Sequence, residues 1–143
     1  NNMSNSLIEA AVKFKFDLRI ACPKNYSPNK KMLSWAKKNK VNLIITTKPD
    51  EAVKGSDCVM TDKWVSMNDK VNKKAKKKIL KPFQVNKKLM SKANSGAIFM
   101  HCLPVGRGEE VTDEVIDGKQ SVVWRQALNR VHAQKSIIKW CLD

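Results

Sequence analysis

Aromatic side chains are scarce in this chain of 143 residues, only 6% of the total, and they do not interleave with its densest basic run, NKKAKKKILK at 72–81. Stacking platforms for nucleic-acid bases are therefore lacking. Acidic residues are also few, 13 against 28 Lys plus Arg, giving a formal net charge of +15. That balance suits an anionic partner. A solvated, lysine-rich helix face explains the runs more simply than a nucleic-acid groove, and the positive field suits a small anionic substrate better still. The four cysteines, Cys22, Cys58, Cys102 and Cys141, are each more than thirty residues from the next. No C-x-x-C pair exists, so no zinc site is expected. No signal peptide is expected, and there is no apolar stretch of membrane-crossing length, so the expectation is a cytosolic protein with reduced thiols. Without an internal repeat or a Gly/Ser linker, residues 1–143 read as one domain with a core of useful size.

What is present is an alternation of helical and extended patterns. Leu7, Ile8, Ala11, Val12 and Phe14 have helical spacing over 4–15, with Ser4 or Asn5 as cap. DLRIAC (17–22) reads as a short buried strand, and 28–39 as an amphipathic helix opened by Pro28. VNLIITT (41–47) is β-branched and strand-like, PDEAVKGS makes a short helix ended by glycine, and CVMT (58–61) is a third strand. Helices are predicted over 69–80 and 86–93, strands at AIFMHC (97–102) and SVVW (121–124), and a closing helix over 126–142. Such alternation predicts βαβ units and a doubly wound, Rossmann-like α/β fold: a parallel sheet with helices on both faces. In that class ligands sit beyond the carboxyl ends of the strands.

The residues at those ends are Asp62, Trp64, Ser66 and Met67 after the third strand and Cys102, Leu103 and Pro104 after the fourth. Arg130 follows the fifth, and Asn1 and Asn2 precede the first helix, where N–H groups favour an anion. Each has a plainer reading. Asp62 could be a loop residue or cap, Ser66 a helix cap, Cys102 a small buried hydrophobe and Arg130 a surface ion-pair partner. Trp64 and Met67 would usually pack, and His101 and His132 stand apart from any cysteine at ligand spacing and read as structural. Their convergence on one rim is the stronger signal. A carboxylate, a hydroxyl, a thiol, an amide and a guanidinium together could hold both ends of an anionic substrate carrying an amine.

The blocks NNMSNSLIEAA, TDKWVSM, PFQVN, MHCLP, GEEVTDEVIDG and NRVHAQK, in that order over essentially the whole chain, resemble the second, ornithine-binding domain of ornithine carbamoyltransferase. His-Cys-Leu-Pro points to the ornithine branch of the family, since the aspartate branch has proline in place of the cysteine. The resemblance implies transfer of a carbamoyl group from carbamoyl phosphate to the δ-amine of L-ornithine, giving L-citrulline and phosphate, with no cofactor or metal and within a homotrimer. It further implies that Asn2, Asp62, Ser66 and Met67 hold ornithine, with Asp62 facing its α-amino group. Cys102 and Leu103 would contact the ornithine amine and the carbamoyl group, and Arg130 the carbamoyl oxygen, with Cys102 as the proton acceptor.

Three positions depart from the family pattern: Asn68 replaces the glycine usual after Ser-Met, and Arg125 and Leu128 stand where acidic residues are common. Asparagine tolerates positive φ better than most residues; the other two changes remove negative charge around Arg130. The family's second domain normally starts with a strand leading into Gly-Asp-x-Asn-Asn, whereas this sequence starts at the asparagines. The expectation is therefore a carboxyl-terminal half whose first, central strand and phosphate-binding Ser-Thr-Arg-Thr-Arg domain lie outside it, and which is inactive alone.

Overall fold

The computed structural model describes residues 2–65 and 72–143. Parallel strands alternate with helices, as the sequence predicts. In order these are α1 (Asn2–Phe14), β1 (Leu18–Ala21), α2 (Lys30–Lys38), β2 (Leu43–Thr46), α3 (Pro49–Val53), β3 (Cys58–Thr61), α4 (Lys73–Leu80), α5 (Lys87–Met90), β4 (Ile98–His101), α6 (Asp113–Ile116) and α7 (Val123–Leu142). Short 3-10 turns lie at Lys24–Tyr26 and Lys81–Phe83.

Asparagine side chains open three of the helices. Asn29 Oδ1 accepts the Met32 N–H at 2.8 Å, Asn72 Oδ1 accepts from Lys74 and Ala75, and Asn86 Oδ1 accepts from Leu89 at 2.9 Å. Each bond satisfies an N–H that the helix itself cannot. Asn29, rather than Pro28, is thus the start signal of α2. α1 also differs from expectation: it already includes Asn2 and runs through Ser4 and Asn5, its apolar side continuing from Met3 and Leu7 to the buried Ile8 and Ala11.

β1 pairs in parallel with β2, Leu18 opposite Leu43, and β3 with β4, from Cys58 opposite Ile98 to Thr61 opposite His101. Among the described residues no ladder joins β1 to β3. The fifth strand expected at 121–124 is reduced to a single parallel bridge, Phe99 to Ser121. Phe99 N–H donates to Gln120 O and Val122 N–H to Phe99 O, and then Val123 turns into α7. The β-branched pair Val122-Val123 suggested a strand, but burial of Val123 at the helix start outweighs that local preference.

The core joins Val53, Val59, Val85, Leu89, Met90, Phe99, Val111, Val115, Ile116 and Val123. β4 crosses it with alternate residues: Ala97, Phe99 and His101 are buried, while Ile98, Met100 and Cys102 are only partly covered. Period-two alternation therefore sends His101 inward and Cys102 to the other side. α7 leaves the core at once. Val123 is fully buried, but Trp124, Leu128, Val131, Ile137, Ile138, Trp140 and Leu142 are exposed. No helix among the described residues is long and apolar enough to cross a membrane.

Candidate active site at the ends of β3 and β4

Because Thr61 and His101 are register partners, the next residues on the two strands emerge side by side. They are Asp62 and Cys102. The Cys102 thiol donates to Asp62 Oδ1 at 3.1 Å, and the same oxygen accepts the Lys63 N–H at 2.7 Å. Both residues are half-buried at the carboxyl ends of parallel strands, where this fold class binds ligands. Partial burial pushes the Cys102 thiol up to about 11, helped by the hydrogen bond to Asp62, by the Asp62 charge and by the charge of Glu110. At neutral pH the group is a thiol that donates to a carboxylate. The plain reading of Cys102 as a core filler fails, since Cys102 lies off the core face.

The residues that follow are held from below. Leu103 has a φ of 55°, a left-handed conformation unusual for a branched side chain. Its N–H donates to His101 Nδ1 at 2.9 Å, and Gln126 Oε1, from the first turns of α7, accepts the His101 N–H at 3.0 Å. The other ring nitrogen, Nε2, lies 3.4 Å from Glu110 Oε1, with both side chains completely buried. Gly106 N–H donates to Glu110 Oε1 as well. Burial alone would raise the Glu110 carboxyl, but His101, the N–H groups of Gly106 and Glu110 itself and the Lys63 charge outweigh it and hold the group below the ordinary carboxylate range.

A second clamp comes from the PFQVN block. Gln84 Nε2 donates to Gly108 O at 2.7 Å and Glu109 O at 2.6 Å, Val85 bridges to Val111, and Lys77 pairs with Glu109. Arg107 is engaged outside, bonding Asp113 and Asp117.

Of the residues singled out from sequence, Asp62 and Cys102 are in direct contact and Leu103 adjoins them. Asn2 stands exposed in the first turn of α1. Arg130 is exposed on α7, its side chain making no hydrogen bond or ion pair with the described residues. It lies four residues after Gln126, on the same face and about 6 Å further along the axis. Ser66, Met67 and Asn68 lie outside the described residues. Trp64 packs inside, as expected, and His132 is exposed. Of the other residues here, His101 was read from sequence only as structural, and Glu110, Lys63, Gln84 and Gln126 were given no role. The one available signal was that four of these five fall within or beside the ordered blocks.

The profile of the aspartate/ornithine carbamoyltransferase family, Asp/Orn-binding domain, matches residues 1–141. An ornithine carbamoyltransferase of Rhodopseudomonas palustris is 56% identical over 142 residues, covering 99% of this chain and 46% of the relative; one of Brucella abortus is 51% identical over 143 residues, with 100% and 46% covered. Among solved structures, the anabolic ornithine carbamoyltransferase of Campylobacter jejuni superposes with a TM-score of 0.92 at 36% identity, covering 98% of this chain and 48% of that one. The Pyrococcus furiosus ornithine carbamoyltransferase gives 0.86 at 43% identity, with 94% and 44% covered. The chain therefore spans about half the length of the proteins it matches.

Proposed function

The chain belongs to the aspartate/ornithine carbamoyltransferase family, as its Asp/Orn-binding domain, and on that premise we propose that it carries the ornithine half of a carbamoyl-transfer site. The reaction moves a carbamoyl group from carbamoyl phosphate to the δ-amine of L-ornithine, releasing L-citrulline and phosphate. The observation that carries this reading is the Cys102–Asp62 contact at the paired ends of β3 and β4.

The roles follow from charge and reach. Asp62 faces the α-ammonium of ornithine, with Asn2, Ser66 and Met67 positioning the rest of the amino acid. Cys102 and Leu103 lie against the reacting amine and the carbamoyl group. Before it can attack, the δ-ammonium must lose a proton. Cys102, as a thiol donating to Asp62, suits a relay: sulfur takes the substrate proton as its own passes to Asp62 Oδ1. Arg130 faces the carbamoyl oxygen, where negative charge develops in the tetrahedral intermediate. The phosphate end of carbamoyl phosphate is held by protein outside this chain. Most of the acceleration comes from holding the two substrates in attack geometry. A homotrimer and a cytosolic setting that keeps Cys102 reduced belong to the same reading.

The test is a chimera in which this chain replaces the matching half of the Rhodopseudomonas palustris relative. Citrulline formation that depends on both ornithine and carbamoyl phosphate is expected. A folded chimera that makes none would overturn the proposal.

A further inference from the structure

Glu110 Oε2 and His101 Nε2 are buried side-chain atoms without a hydrogen-bond partner among the described residues, Nε2 standing 3.4 Å from Glu110 Oε1. Buried polar groups left this way are costly, and an apolar pair would fill the same space without the cost. A built arrangement surrounds them. His101 Nδ1 accepts the Leu103 N–H, so Nδ1 is bare and the ring proton sits on Nε2, facing Glu110. Gly106 N–H donates to the same carboxylate oxygen that Nε2 approaches, and Gln126 fixes the His101 main chain. A Cβ on Gly106 would lie 2.8 Å from Glu110 Oε2, so glycine makes room for the carboxylate.

The Leu103 N–H belongs to the same rigid peptide unit as the Cys102 carbonyl. Holding it therefore sets the main-chain direction at Cys102, the residue whose thiol meets Asp62. Leu103 also sits in the left-handed region, a conformation that persists only where the surroundings enforce it and that gathers at active sites.

We propose that His101 and Glu110 form a buried positioning pair that holds the Leu103 main chain, and through it the Cys102 thiol, in the geometry the transfer needs. The proposal rests on the carbamoyl-transfer reading above. Glu110 acts through His101, and His101 through the Leu103 N–H; neither touches substrate.

Two substitutions separate the parts. In His101→Asn the side-chain oxygen stands near the position of Nδ1 and can still accept the Leu103 N–H. In His101→Gln a donor remains near the position of Nε2, and the acceptor toward Leu103 is lost. In the chimera, His101→Gln and Glu110→Gln should lower kcat on the order of a hundredfold, as small misplacements of reacting groups do. KM for ornithine should change much less, and His101→Asn should recover much of the loss. Equal losses in the two His101 variants, or an unchanged kcat in Glu110→Gln with the parent's melting temperature, would overturn the proposal. Should the chimera make no citrulline, the transfer reading fails separately, and alkylation of Cys102 still decides the pair. Losing the pair should free the thiol from Asp62 and shift its reactivity to lower pH in His101→Gln; an unmoved profile counts against it. If the variants do not fold, the nitrogen NMR shifts of the His101 ring in the unaltered protein decide. A bare Nδ1 with a protonated Nε2 supports the pair, and a protonated Nδ1 overturns it.

Discussion

Cys102 and Asp62 occupy equivalent positions on neighbouring parallel strands, each the first residue past its strand, with the thiol 3.1 Å from the carboxylate. Neither the spacing of forty residues nor the chemistry of either side chain requires this. The register of β3 against β4 does, because Thr61 opposite His101 leaves the next two residues to emerge together.

Removing the thiol should therefore remove a relay station and leave the fold standing. In the chimera, Cys102→Ala is expected to lower the turnover for citrulline about a hundredfold, with an unaltered circular-dichroism spectrum and melting temperature. Turnover within about twofold of the parent would mean that the proton takes another route.

Asp62→Asn should discriminate between the substrates. Losing a charge-assisted contact costs about 1.5–3 kcal/mol, and on the proposed reading the loss would fall on the α-ammonium of ornithine. Steady-state kinetics should show the Michaelis constant for ornithine rising far more than that for carbamoyl phosphate. Parallel increases in both would remove Asp62 from the ornithine site.

The thiol itself offers a pH test. Cys102 is pushed up to about 11 from an ordinary 9.0, by burial first and then by Asp62. Its thiol form is favoured by folding, so that contribution to stability is whole below pH 9.0 and is lost as the pH rises toward about 11. Glu110 acts in the opposite sense: lowered from an ordinary 4.5, it contributes above that value and the contribution fades as the pH falls. Mass spectrometry of alkylated peptides should find Cys102 slow to react at pH 8 and titrating far above a model thiol. Asp62→Asn should bring the midpoint down, since both effects of Asp62 raise it.

Gly118 closes α6, and a Cβ there would lie 2.5 Å from the carbonyl oxygen of Glu114. That atom is main chain and cannot swing aside. Gly118→Ala should destabilise the protein by about 1–3 kcal/mol, read as a lower melting temperature. An unchanged melt would mean that the α6 end shifts freely.

Citrulline formation should also require more than this chain. Residues 1–143 alone are expected to produce none, because the proposed site leaves the phosphate of carbamoyl phosphate to be held by protein outside this chain; adding the remaining half of the Rhodopseudomonas palustris relative in trans should restore it. Measurable product from the chain alone would contradict a divided site.

Much of this was legible in the sequence, and the reasons differ by element. The strands β1 to β4 announced themselves as β-branched and apolar runs between turn residues, and Asp62 and Cys102 could be placed by counting past them. His101 could not be read that way. It has no cysteine or carboxylate at ligand spacing, and its partner Glu110 arrives through a loop whose course depends on Gln84 and Gly106. Ser121 to Trp124 misled for a different cause: a β-branched pair was decisive locally, while burial of Val123 decided the fold. Arg130 was assigned to the rim because it follows the expected fifth strand; that strand is reduced to one bridge, and the structure adds only that Arg130 shares a face of α7 with Gln126.

α7 has one more consequence. Its 20 residues extend about 30 Å, and its one buried side chain is at the very start. Beyond Gln126 the helix has little but its own hydrogen bonds to sustain it, whereas in proteins most helical stability comes from packing of an apolar face. Amide hydrogens should record this as a slope. Exchange with deuterated solvent should be slowest in the first turns, where opening the helix also opens the core, and should quicken turn by turn toward Leu142, where fraying alone exposes each N–H.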